Sequence, residues 1–224
     1  MSSDVLLRYA PSLIGGFGVT VLCWGAGCAL GLLLGFAIAL GYEVRLRAFR
    51  FLLRFYVEIV RGTPFLMQLF LLYAGGPSIG LRLSATAAGI LGLGLYSSAY
   101  FSEIFRGGFA AVPSGQVEAA MSVGMPPRFV LTRIRLPVAL VVAAPPIVNT
   151  LIVMSKETVV LSIITVPELM YQMQTMAAET FTAFDAIFAM AVFYWLLVEF
   201  VSRLGRRGDA RARGGRDDHA HCHA

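Results

Sequence analysis

Charge is what this chain has least of. Only 14% of its 224 residues are Asp, Glu, Lys or Arg, against about 25% in an ordinary soluble domain. The deficit is concentrated. No ionisable Asp, Glu, Lys, Arg or His lies between Arg8 and Glu43, Arg61 and Arg82, Arg82 and Glu103, or Arg135 and Lys156. Each gap is as long as the roughly 20 residues a helix needs to cross hydrocarbon. One such run could be a buried core helix, but four in a chain this short leave too little polar surface to cover them in water. Lysine occurs once, at Lys156, and nothing matches G-x-x-x-x-G-K-[ST]. The chain therefore has no phosphate-binding loop of its own. All three histidines sit in the last residues, which argues against an enzyme built from a His, carboxylate and Cys cluster inside the spans. Cysteine is scarce: Cys23 and Cys28 share the first run but not one helical face, and Cys222 is in the tail. No disulfide framework is expected. The first run lacks a basic leader and is too long for a cleavable signal peptide. The formal charge of +5 belongs to loops and tail and is no sign of nucleic-acid binding.

What is present is an all-α, polytopic membrane protein of about five spans, expected near 13–40, 58–77, 84–107, 138–160 and 186–203. Arginine sets the orientation. Arg45, Arg47, Arg50 and Arg54 follow the first span; Arg106, Arg128, Arg133 and Arg135 follow the third; Arg203, Arg206 and Arg207 open the tail. The other side carries only Arg8 and Arg82. This bias puts the N-terminus outside and the C-terminus inside, with an odd number of spans.

Gly27, Gly31 and Gly35 recur every four residues on the first span, a spacing that lets another helix approach closely in lipid. Gly89, Gly92, Gly94, Ser97 and Ser98 give the third span a similar small-residue surface. The second span begins with Glu58-Ile-Val-Arg61-Gly62-Thr63-Pro64. Proline restricts the residue before it and removes a helical hydrogen bond, so a kink or restart is expected near Thr63. Glu58 and Arg61, three apart, are placed to pair on one face.

Between the third and fourth spans the chain stays on the arginine-rich side for about 30 residues, residues 109–137. Ser114 is a candidate N-cap, and Glu118 falls in the first turns, where a carboxylate suits the helix dipole. Ala119, Ala120 and Val123 make a short, smooth apolar face, and Gly124 with Pro126 and Pro127 ends the element. Such a helix is shaped either to dock on its own subunit or to lie in a groove of another protein.

Here the chain resembles a known family. Glu118-Ala119-Ala120, Gly124, then Ile134-x-Leu136-Pro137 resembles the EAA signature of permease subunits in bacterial ATP-binding-cassette importers. Tyr56-Val-Glu-Ile-Val-Arg-Gly62-Thr63-Pro64, Ser98-Ala-Tyr, Glu103-Ile-Phe-Arg-Gly-Gly108 and Val166-Pro-Glu-Leu169 are similar to its polar amino acid branch. The resemblance runs from about residue 12 to 205. It implies a type I importer permease fold with a permease domain over 1–205 and a cytoplasmic tail, expected to be disordered, over 206–224. It implies a coupling helix at Glu118–Gly124, with Glu118, Ala119, Ala120 and Gly124 facing a separate ATPase. Ile134, Leu136, Pro137, Gly62 and Pro64 would be structural parts of the motifs. The implied partners are that ATPase, a second permease subunit (identical or homologous), a periplasmic solute-binding protein and membrane lipid, with no nucleic acid. No cofactor, metal or catalytic residue is implied, and transport would proceed by alternating access.

Charges inside a span often mark pathways or paired interiors. The chain has Asn149-Thr150 and Lys156-Glu157-Thr158 where family members commonly carry Asn-Glu and Lys-Asp-Thr. These five residues are the candidate lining of a translocation route, and a structural ion pair is the alternative for Lys156. His219, His221 and His223 form a metal-binding-like string, which biased tail composition explains better. The competing class is a self-contained secondary transporter or channel, which would more often show internal repeats or filter motifs.

Overall fold

The computed structural model describes residues 3–44, 46–181 and 183–220. Every regular element among them is helical. In chain order they are α1 (Ser3–Gly41), α2 (Arg47–Gly62), α3 (Phe65–Tyr73), α4 (Ala85–Ala110), α5 (Ser114–Ser122), α6 (Pro127–Val130), α7 (Leu136–Glu157), α8 (Leu169–Thr180) and α9 (Ala183–Ala220). A π-helical turn, Leu131–Arg135, joins α6 to α7, and a 3-10 run, Thr158–Ile164, continues α7.

The fold is organised by the seam between α1 and α4. A Cβ on Gly27 would meet Leu93, one on Gly31 would meet Ser97, and one on Gly35 would meet Phe101, Ser98 and Ser102. The partner numbers rise together, so the two helices run parallel. Where backbones come this close only glycine fits, and packing rather than hydrophobicity holds helices together in lipid. The small surface expected on α4 faces α1 through Gly94 and Ser97, α3 through Gly92, and Leu161 through Gly89. Ser97, Ser98 and Ser102 are buried, and their hydroxyls return to carbonyls of their own helix. Cys23 and Cys28 are buried free thiols on α1.

Three segments are long and apolar enough to cross a membrane: Leu7–Gly41, Pro127–Ile164 and Ala186–Arg203. The pair α2 and α3 makes a fourth if it counts as one span, although it bends by 106°. The sequence led us to expect about five. Two physical reasons account for the difference. The second expected span is two short helices, and α4 has exchanged much of its hydrophobicity for the Gly and Ser of its seams. The fourth expected span is longer than the sequence indicated, because the π-helical turn lets the helix start at Pro127. The backbone of α9 is drawn as helix to Ala220, past residue 206, where the sequence pointed to a disordered tail. Arg and Ala, frequent there, are good helix formers. His221, Cys222 and His223 lie outside the described residues.

Candidate functional site

The break between α2 and α3 falls where proline demanded it. Thr63 is extended (φ −117, ψ 142) and Pro64 caps α3. A residue the sequence reading passed over, Gln68, satisfies the break: its Nε2 lies 2.8 Å from the Val60 carbonyl, 3.1 Å from the Thr63 carbonyl and 2.8 Å from Thr63 Oγ1. Thr63 Oγ1 itself donates to the Ile59 carbonyl at 2.9 Å. A helix end leaves carbonyls without intrahelical donors, and Gln68 supplies one here. Arg61 does not turn to Glu58 as expected. It reaches across to α4, 4.0 Å from Glu103 and with its guanidinium 5.5 Å above the Tyr100 ring.

The element Glu118–Gly124 stands off the bundle. α5 rests mainly on α6 and the π-helical turn, with Ala120 as its single buried residue. Glu118, Ala119 and Gly124 are exposed, and Val123 is 82% exposed. The N-cap is Pro113 rather than Ser114, which is the first helical residue and makes no capping bond. Proline's fixed φ lets it serve at a helix start. At the other end Gly124 takes φ +79, its N–H bonding Met121 O at 3.0 Å while Met125 N–H bonds Ala120 O at 3.1 Å. This left-handed closure satisfies the last carbonyls of α5. Of the small apolar face that the sequence offered, Ala119 and Val123 are therefore presented at the arginine-rich end of the bundle, while Ala120 is turned inward and buried.

What anchors this end is a contact that sequence reading missed. Arg135 grips Glu43 through both guanidinium nitrogens, at 2.7 and 3.0 Å, and lies 5.6 Å from the Phe109 ring. The pair ties the start of α7 to the chain just after α1. Such bidentate geometry is among the stronger forms of ion pair. The signal was available, since Glu43 is the only acid in the basic stretch that follows the first span. Ile134 sits in the π-helical turn, Leu136 packs into the cluster around Phe101, Phe105 and Ala139, and Pro137 occupies the first turn of α7. Gly62 ends α2.

The candidate pathway residues separate. Asn149 and Lys156 are exposed on one side of α7, and Lys156 makes no ion pair within the chain among the described residues. Thr150 and Glu157 are half-buried. Thr158 turns inward instead: it is buried, donating to Ser155 O at 2.7 Å and lying 3.2 Å from the Tyr194 hydroxyl of α9. A helix cannot aim adjacent residues at one target, and the 3-10 continuation beginning at Thr158 turns it further.

At the opposite end, Glu168 is a buried carboxylate with no cation paired to it among the described residues. It caps α8 through the Tyr171 N–H at 2.9 Å and lies 3.3 Å from Thr20 Oγ1, which accepts the Leu169 N–H at 3.0 Å. Burial pushes its carboxyl up to about 7, against the downward pull of the Met170 and Tyr171 N–H groups and the Thr20 hydroxyl. A folded-state value above the ordinary one favours the folded, protonated form. This contribution is complete below about pH 4.5 and is lost as pH rises through about 7. Between pH 5 and 8 the docking of α8 on α1 is expected to weaken by about 2–3 kcal/mol. Glu168→Gln should flatten that dependence. Hydrogen exchange of the α8 amides against pH checks it, and an equally steep profile in the variant would refute it.

Comparison with known proteins agrees with this geometry. Residues 31–214 match the family described as binding-protein-dependent transport system inner membrane component. The chain is 30% identical over 197 residues to the arginine transport system permease protein ArtQ of Bacillus subtilis, covering 88% of this chain and 90% of the relative. It is similar to a chain from the crystal structure of an amino acid ABC transporter with histidines, with 32% identity, a TM-score of 0.87, and coverage of 94% and 100%. The MetNI methionine ABC transporter in inward-facing conformations shares the fold, with a TM-score of 0.71 at 18% identity, over 94% of this chain and 99% of that one.

Proposed function

Because the chain belongs to the family of binding-protein-dependent transport system inner membrane components, we propose that it forms the route for a polar amino acid, or a solute resembling one, delivered by a periplasmic binding protein. The chain is a multi-pass permease subunit of an ATP-driven importer in the bacterial inner membrane. It is not itself an enzyme, and ATP hydrolysis belongs to a separate subunit. That membership sets aside the self-contained transporter.

The observation that carries the coupling role is α5, an apolar-faced helix held out from the bundle and closed by a glycine at φ +79. It fits the cleft of an ATPase, with Glu118 supplying a polar contact, Ala119 the close approach and Gly124 the exit turn, while Ala120, expected from the motif to face the partner, is buried and seats the helix on its own chain. The arginine bias supports an N-terminus in the periplasm and a cytoplasmic C-terminus. It also supports an odd number of crossings, with α4, 26 residues long and so about 39 Å, among them, its small residues covered by its neighbours. A second permease subunit completes the route. Asn149 and Lys156, on the uncovered side of α7, are the residues we place along it, with the half-buried Glu157 at its edge. Residues 206–224 are an appendage to the permease domain.

The solute class rests on what the relatives are named for, arginine and amino acids. A thermal-shift panel on the partner binding protein tests it. The expected result is a raised melting temperature with one or a few amino acids or their derivatives. A response confined to sugars, longer peptides or metal ions would overturn the reading.

A further inference from the structure

Helix α2 was read from sequence as a basic connection, yet it is a helix with three distinct faces. Phe49, Leu53, Tyr56 and Val60 pack on the bundle; Tyr56, for example, donates to the Leu95 carbonyl at 3.0 Å, and Val60 is buried. Phe51, Leu52, Phe55 and Ile59 form a second, uncovered apolar face, with Phe51 67% and Phe55 53% exposed. Arg47, Arg50, Arg54, Glu58 and Arg61 form the third, at i, i+3, i+7, i+11 and i+14.

The direction of α2 follows from its neighbour. α3 runs along α4, with Phe65 5.0 Å from the Tyr96 ring and Leu69 against Gly92. α2 leaves it at 106°. If α3 and α4 follow the membrane normal, α2 lies nearly in the membrane plane, crossing α4 between Leu95 and Glu103 and passing beside the end of α1. An in-plane helix with a basic face beside an apolar one suits a surface of anionic lipid.

Beneath the charged face is a cavity of about 840 Å³, closed by Tyr42 after α1 and by Glu103 and Arg106 of α4. Glu103 is already engaged. It accepts from Arg106 Nε at 3.0 Å and Nη2 at 2.5 Å, and Arg61 lies 4.0 Å away. Arg50 and Arg54, which line the cavity together with Glu58, form no ion pair within 4 Å among the described residues, although Arg54 is near enough to Glu103 for its charge to act on that carboxyl. Two guanidinium groups thus open onto a headgroup-sized space, next to an apolar strip suited to acyl chains.

We infer that this cleft holds the phosphate headgroup of an anionic phospholipid of the cytoplasmic leaflet, with Arg50 and Arg54 on the phosphate and Phe51 and Phe55 against its chains. Arginine is the residue suited to this, since its planar fork matches phosphate oxygens. Occupancy would fix α2, and through Arg61 and Gln68 the break before α3, to the depth of the leaflet surface.

Native mass spectrometry of the full complex with its ATPase, titrated with phosphatidylglycerol and phosphatidylcholine, tests the site. Wild type should hold phosphatidylglycerol at least tenfold more tightly, and more weakly as salt rises. Arg50→Gln with Arg54→Gln should lose roughly 25-fold in phosphatidylglycerol affinity, about fivefold per arginine, with phosphatidylcholine unchanged. If the double variant is not recovered, Arg54→Gln alone should show the fivefold loss. Millimolar inorganic phosphate or glycerol phosphate should leave the lipid bound. Displacement by free phosphate would make this a soluble-anion site, and displacement by an amino acid would make it part of the solute route. Either result, equal binding of the two lipids, or unchanged affinity in the variants would overturn the inference.

Discussion

Gly124→Val is expected to leave the permease inserted and paired but to cut ATP-driven uptake at least tenfold. Gly124 stands at φ +79 with open space around its Cα, so the cost comes from the backbone and not from a clash. A β-branched residue pays about 1–2 kcal/mol or more in the left-handed region. The chain can relieve this only by rotating the residue out of that region. Rotation breaks the Gly124 N–H to Met121 O and Met125 N–H to Ala120 O bonds and re-aims the end of α5. Gly124→Asn should keep much of the activity, because asparagine tolerates that conformation. Uptake into proteoliposomes, measured beside co-purification of the ATPase, separates lost coupling from lost assembly. Wild-type uptake in the valine variant would show that the turn does not matter.

The second large effect is expected at the α1–α4 seam. A Cβ at Gly35 would lie 2.7 Å from Phe101 Cβ, 2.8 Å from the Ser98 carbonyl oxygen and 2.9 Å from the Ser102 nitrogen. Two of those atoms are backbone and cannot turn away, so Gly35→Leu must push the helices apart along the longest contact in the fold. Overpacking of this kind costs about 3 kcal/mol or more, and most of the variant should be lost to degradation or aggregation. Gly25→Leu is the control. It lies on the same helix with nothing within 4 Å of its Cβ position, and should accumulate normally. Detergent-solubilised yield and melting temperature of the two variants decide the matter; equal values would mean that the seam is not what holds α1 to α4.

Much of this was legible in the residues, and what was not has physical causes. Gaps in charge are local and one-dimensional, so α1 and the α7 rod could be read directly, as could the four-residue glycine spacing and the proline break. The element at Glu118–Gly124 was legible because its ends carry strong stop signals. α2 was not, because its arginines read as a loop when taken as a count; taken at helical spacing with Phe51, Phe55 and Ile59 between them, they describe an amphipathic helix. The Glu43–Arg135 pair joins residues 92 positions apart, and no local pattern encodes such a partner. Gln68 was invisible for a similar reason: its role exists only once the chain has turned at Thr63. Three or four segments are apolar enough to cross, where the sequence pointed to about five, because hydropathy measures contact with lipid, whereas α4 is built chiefly to touch other helices.

The run from Pro127 to Ile164 has a mechanical consequence. Its 38 residues form one nearly continuous helical rod roughly 55 Å long, with α5 resting on its first turns and the Thr158 contact to α9 near its far end. The Arg135–Glu43 grip lies about a fifth of the way along. That arrangement is a lever with an off-centre fulcrum. A displacement of the short arm, by whatever seats on α5, would be about threefold larger at the far end of α7, beside α9.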